Sequence, residues 1–118
     1  MARRLSRGET RLYRFRPPGK KRPVLLLTRE PALTYLNRIS VAPITSTIRG
    51  VPSEVVLDVT DGMKSACAVD LHNVVTVPRD GLGRRLARLS DERMQAVYAA
   101  LGFALGCDPI SPMSSRPG

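Results

Sequence analysis

The chain has no tryptophan, one histidine, two cysteines and only 4% aromatic residues. Rows of rings on which unpaired bases stack are therefore absent, which argues against a single-strand binder built on stacking. Cys67, Cys107 and the lone His72 are scattered rather than clustered, so no conventional zinc site can be assembled from them. The two cysteines are expected to be buried free thiols. Long apolar runs are missing too. The longest aliphatic stretch, Val24 to Leu27, is far too short to span a membrane, and no signal-peptide core is recognisable. Acidic residues are the last scarcity: 10 Asp and Glu face 19 Lys and Arg, giving a formal net charge of +9 and a pI near 10.8. Such an excess favours a polyanionic partner, nucleic acid or an acidic protein segment, although solubility alone is the bland alternative. The chain reads as soluble and cytoplasmic, and no cofactor is expected.

What is present fits one domain. The 118 residues are 42% hydrophobic, enough for one modest core. Arg3, Arg4, Arg7, Arg11, Arg14, Arg16, Lys20, Lys21 and Arg22 crowd the first 22 residues against Glu9 alone. An import signal has that composition, but here the basic residues run straight into a strand pattern. Residues 1–7 are read as a mobile basic lead, 8–106 as the domain and 107–118 as a tail.

Short strands dominate the pattern. A weakly alternating run over 12–16 stops at Pro17-Pro18-Gly19, a strong turn, and 22–28 follows as a near-continuous apolar run. The two predict a hairpin whose turn carries Lys20 and Lys21. Residues 30–37 suit a short helical turn opened by Pro31. Strands are expected over 38–44, where Pro43 marks an edge or an irregularity, and over 54–57, 66–71, 74–77 and 85–89. Asp61-Gly62 and residues 80–83 are read as turns. One helix stands out, Ser90 to Leu105, with Ser90 as N-cap, Asp91 and Glu92 in the first turn, and Gly106 as the stop. Met94, Val97, Tyr98, Leu101 and Leu105 form its apolar stripe, read as core. Many short strands with one closing helix predict a mainly β fold, a small curved sheet or barrel.

One stretch does not read as mere scaffold. "VAPITSTIRG", residues 41–50, starts apolar and ends in Thr45, Ser46, Thr47 and Arg49. Hydroxyls beside a guanidinium suit a strand end that binds phosphate, although Thr45 and Ser46 also suit a turn.

This stretch, with "RGE" at 7–9, "KRPVLLLT" at 21–28, "AVDLHNVVTVP" at 68–78 and "LGRRLARLSDERM" at 82–94, resembles the MazF/PemK/Kid toxins in order and spacing over residues 7–106. The resemblance implies an SH3-like β-barrel with a C-terminal helix, a homodimer, and cleavage of single-stranded RNA without metal. It also implies a cognate antitoxin whose acidic, disordered segment covers the RNA groove. Residue by residue, it implies catalytic roles for Arg22 and Thr45, an RNA contact at Ser46, and a match of Asp70 to an acidic residue that is catalytic in some members. A glutamate that many members carry before "RP" has no counterpart here, and Ala68 stands where another member has a catalytic arginine.

In the chemistry so implied, the RNA's 2′-OH attacks the adjacent phosphorus, leaving a 2′,3′-cyclic phosphate and a 5′-OH. Arg22 suits stabilisation of the phosphoryl oxygens, because its charge is permanent and its fork matches them, and it is also a candidate acid. Thr45 can donate a hydroxyl hydrogen bond. Asp70 and His72 are the candidate bases, and period two puts them on one side if the strand continues that far. Lys20, Lys21 and Arg49 are read as phosphate-steering charges, and Thr47 and His72 as further RNA contacts. Each has a structural alternative: a solvated strand end for Arg22, a backbone or arginine partner for Asp70. A non-catalytic RNA-binding barrel and a gyrase-poisoning toxin of the same fold are the competing functions.

Overall fold

A computed structural model describes residues 5–15 and 20–107. Seven strands, β1 Glu9–Arg14, β2 Lys21–Leu26, β3 Arg38–Thr45, β4 Glu54–Leu57, β5 Cys67–Asp70, β6 Val75–Pro78 and β7 Leu82–Arg88, precede helix α1, Asp91–Leu105. Antiparallel ladders join them in the order β4-β5-β3-β2-β1-β7, with β6 also on β3. The mainly β, SH3-like architecture with one C-terminal helix is the one expected. The ladder path itself is not closed between β4 and β7.

The apolar run in β2 has a specific cause. Val24, Leu25 and Leu26 are completely buried, because the strand is covered on both faces. Leu25 and Leu27, with Ala42 and Ile44 of β3, enter one core, which also takes Met94, Val97 and Ala100 of α1. Val24 and Leu26, with Ile39 and Val41 of β3, enter a second core closed by Leu5, Leu33, Val77 and Leu82. Alternation of side chains along each strand divides the two sets.

Pro43 marks an irregularity inside a central strand, not an edge. One side of β3 pairs with β2 from Val41 to Pro43. Its other side serves β6 over Arg38–Val41 and then β5 over Ile44–Thr45. Ala42 and Pro43 fill the gap between these two ladders, where Pro43's missing N–H leaves no orphan donor.

The sheet's two ends meet through a loop. After β4, a 3-10 turn over Val59–Asp61 is fixed by a capping box: Asp58 accepts from the Thr60 N–H at 2.9 Å, and Asp61 accepts from the Asp58 N–H at 3.0 Å. Asp61 also receives the Arg93 guanidinium of α1 at 2.9 Å. Gly62 follows with φ +91°, and a Cβ there would lie 2.8 Å from the Ala87 Cβ of β7. Only glycine meets both demands.

Several expectations are corrected. Residues 5–7 are not a mobile lead. Leu5 is buried, and Arg7 donates to the Leu27 carbonyl at 3.1 Å while lying 4.8 Å over the Tyr98 ring. Residues 1–4, the Pro17-Pro18-Gly19 turn and the tail from residue 108 lie outside the described residues. Lys21 belongs to β2 and not to the turn, and β7 starts at Leu82, inside the expected 80–83 turn. Cys67 is buried but Cys107 is exposed. Leu105 is 67% exposed, because the seam on α1 passes through Leu101 and Ala104 and leaves Leu105 off it.

Two stability measurements follow from this closure. Gly62→Ala is expected to lower unfolding free energy by about 2–4 kcal/mol in urea titrations, from the left-handed backbone and the Ala87 clash together. Gly50→Ala, with φ +73° and open space around it, should cost only about 1–2 kcal/mol. The Thr60 hydroxyl and N–H hold the Asp58 carboxyl below its ordinary value of 3.8. The stabilisation it carries is therefore complete above that value and lost as pH falls through the lowered one. Thr60→Ala should move the Asp58 midpoint upward in a carbon-13 NMR titration.

Candidate active site

The β2–β3 register sets the site. Val24 faces Pro43 and Leu25 faces Ala42, so two further residues along β2 bring Arg22 opposite Thr45. The ladder stops before that point because Pro23 has no N–H to continue it. Thr45 in turn faces Ala68 of β5. Between the open end of β2 and the loop before β5 lies a cavity of about 260 Å³. Arg22, Thr45 and Cys67 line it from the strands, Ser46 from just past β3, and Met63, Lys64 and Ser65 from the loop.

Its chemistry is one-sided. Arg22 and Lys64 are cationic, Thr45, Ser46 and Ser65 carry hydroxyls, and none of the lining groups is a carboxylate or an imidazole. Among the described residues neither cation has a salt-bridge partner. The Thr45 Oγ1 accepts the Thr47 N–H at 3.1 Å. That bond fixes the hydroxyl as an acceptor on its chain side and leaves its hydrogen free to donate into the cavity. The turn-forming and ligand-binding readings of Thr45 are thus compatible. Burial, with Asp61 and Asp58 nearby, raises the Cys67 thiol's pKa and keeps it protonated. Lys64 and Ser65 carried no signal in the sequence; they reach the cavity only because the Asp61 and Gly62 contacts bring their loop back to β2.

The other predicted residues are elsewhere. Asp70, His72 and Arg49 line a separate cleft of about 450 Å³ with Glu54, Asn73 and Phe103. The strand ends at Asp70 and turns into a 3-10 turn over Leu71–Asn73, so the expected Asp70–His72 strand alignment does not form. The Asp70 carboxylate caps that turn, accepting the His72 N–H at 3.0 Å and the Asn73 amide at 2.6 Å. Within this chain Asp70, the candidate base, therefore lines a different cleft from Arg22 and Thr45. Glu54 is likewise occupied, accepting the N–H groups of Arg49 and Gly50. Thr47 and Lys20 line neither hollow. Lys21 sits directly across from Arg14 in β1 and lines a third one with Arg84. The stretch 46–49 links the first two clefts, with Ser46 in one and Arg49 in the other.

The charge excess is also partly absorbed by the fold. Arg11 is buried against Glu9 at 2.9 Å, with Arg85 at 3.6 Å from the same carboxylate, and Arg7 is held as described. Among the described residues no three His, Cys, Asp or Glu side chains gather as a metal site, and no helix is long and apolar enough to cross a membrane.

Comparison with known proteins agrees with this geometry. A family model described as "PemK-like, MazF-like toxin of type II toxin-antitoxin system" matches residues 6–105. Endoribonuclease MazF3 of Mycobacterium tuberculosis is 39% identical over 89 residues, 75% of this chain and 86% of that protein. The structure of the Mycobacterium tuberculosis toxin MazF-mt6 superposes with a TM-score of 0.78 at 35% identity, covering 85% of this chain and 98% of that one. An endoribonuclease solved with its cognate antitoxin, from a mycobacterial species, has a TM-score of 0.80 at 22% identity, over 88% and 97% of the two chains, and shares the fold. The match across residues 6–105, together with the barrel and its closing helix, places the chain in the PemK-like, MazF-like toxin family.

Proposed function

We propose that this toxin is an endoribonuclease that cuts single-stranded RNA in the cytoplasm, at preferred sequences, by attack of the RNA's own 2′-OH, without a metal ion. The products are a 2′,3′-cyclic phosphate and a 5′-OH. One observation carries the reading: a free guanidinium, Arg22, shares a cavity with a pre-aimed hydroxyl, Thr45, and no carboxylate. Such a set suits the extra negative charge on phosphoryl oxygens in the transition state. It does not suit a hard divalent cation, whose ligands are carboxylate and carbonyl oxygens.

The wider surface supports an RNA path. The second cleft carries Arg49 and His72, with the half-exposed Phe103 as a wall onto which a base can stack. Asp70 is assigned to positioning His72 and Asn73 at that cleft. The carboxylate-free hollow of Arg22 and Lys64 suits an acidic, disordered antitoxin segment that folds on binding and competes for the sites of the RNA's charges. We assign the chain to a homodimer on its family membership.

The reading makes three linked predictions. Cleavage of single-stranded RNA should persist in EDTA, and a 2′-deoxy nucleotide at the cut site should abolish it. A protein that binds RNA but yields no cyclic-phosphate ends would be a non-catalytic barrel instead. Arg22→Ala and Thr45→Ala are each expected to lower kcat by about 100- to 1000-fold, the scale of losing one transition-state donor. Asp70→Ala should lower stability by about 0.5–2 kcal/mol through its lost cap. In single-turnover assays at saturating RNA it should weaken binding more than it slows the chemical step.

A further inference from the structure

Lys64 occupies a place that no strand pattern or motif accounts for. Its loop is held at both ends: Asp61 is bound to Arg93, Gly62 lies on Ala87, Met63 packs on the first core, and Cys67 re-enters the sheet opposite Leu57. Between those anchors Lys64 is exposed, lines the cavity of Arg22 and Thr45, and has no carboxylate partner among the described residues. Nothing in the fold requires a cation there. Resting on the ribonuclease reading, we propose that Lys64 is the general acid of the reaction, the group that protonates the departing 5′-oxygen.

A proton inventory of the cavity supports the assignment. The Thr45, Ser46 and Ser65 hydroxyls are alcohols like the leaving group, so transfer from them gains nothing. A guanidinium holds its proton far more tightly than an ammonium does. Lysine is thus the cation that can release a proton to a forming alkoxide, while arginine remains as the fixed charge. Cys67 also lines the cavity, but it is only 8% exposed and packs in the first core, out of reach of an RNA strand lying in the opening. No carboxylate lines the cavity to take up the ammonium's charge.

The step balances as follows. The 2′-oxygen bonds to phosphorus and its proton passes to solvent. The bond from phosphorus to O5′ breaks, its electron pair stays on O5′, and a proton from the Lys64 Nζ joins it to give the 5′-OH. The neutral amine recovers a proton from solvent, and no group is oxidised or reduced.

The test uses two substrates of one sequence: ordinary RNA, and RNA with sulfur in place of the bridging 5′-oxygen at the cut site. Sulfur leaves as a thiolate and needs no acid. Lys64→Ala is expected to slow single-turnover cleavage of the oxygen substrate by about 100- to 10,000-fold. On the sulfur substrate it should lie within about threefold of wild type. Arg22→Ala should be slow on both. Lys64→Arg, which keeps the charge but not the labile proton, should stay slow on oxygen and fast on sulfur. Equal slowing of Lys64→Ala on both substrates would make Lys64 a phosphate contact and overturn the assignment, as would no slowing on either. Thermal unfolding of the variant at the wild-type temperature shows that the fold is intact. Failure of the wild type to cut the oxygen substrate would instead overturn the ribonuclease reading itself.

Discussion

The pairing of β2 with β3, buried on both faces, is the constraint from which the rest of the molecule follows. Each strand sends alternate side chains into two separate cores, and each fully buried Val or Leu contributes roughly 1.5–3 kcal/mol. A slip of one residue would turn every one of them to the wrong core. The register is therefore fixed by a large energy in the middle of the strands. Arg22 and Thr45 at their ends inherit that precision without contributing to it. The two prolines complete the arrangement. Pro23 ends the β2–β3 ladder where the cavity opens, and Pro43 sits where β3 changes partners from β6 to β5.

Much of this was legible in the sequence, for physical reasons that can be named. The run at 24–27 reads as a buried strand because both of its faces are covered, and the helix reads from its cap, its acidic first turn and its stop. The 54–57 strand is found with its expected bounds. Arg22, Thr45 and Ser46 meet in one cavity, as the resemblance implied. What could not be read depends on contacts between distant segments. Lys64 and Ser65 belong to the cavity only because Gly62 touches Ala87 and Asp61 holds Arg93. Asp70 is assigned by the resemblance, and period two aligns it with His72; the 3-10 turn that follows Asp70 breaks that period and commits its carboxylate to a cap.

Net charge illustrates the same division. Counting basic residues treats them as interchangeable, yet Arg11 is a buried partner of Glu9 and Arg7 a latch between the N-terminal segment, β2's end and α1. The "RGE" motif at 7–9 is thereby explained as architecture: Arg7 the latch, Gly8 with its left-handed backbone and its bond from the Leu89 N–H, Glu9 the buried anion. Among the described cations without acidic partners, Arg22 and Lys64 line one hollow and Lys21 and Arg84 another, while Arg29, Arg38 and Arg79 stand apart from both.

The two-core register also sets how such a protein can diversify. The loops 46–53 and 63–66 lie outside the β2–β3 register, so changes in their exposed residues leave the two cores intact. Within 22–26 and 41–45 point changes are survivable, but an insertion or deletion is not, because it rotates Arg22 or Thr45 to the opposite face together with the core behind it. Lineages built on this scaffold would therefore change what they recognise through their loops, and would carry the spacing from core to cavity unchanged.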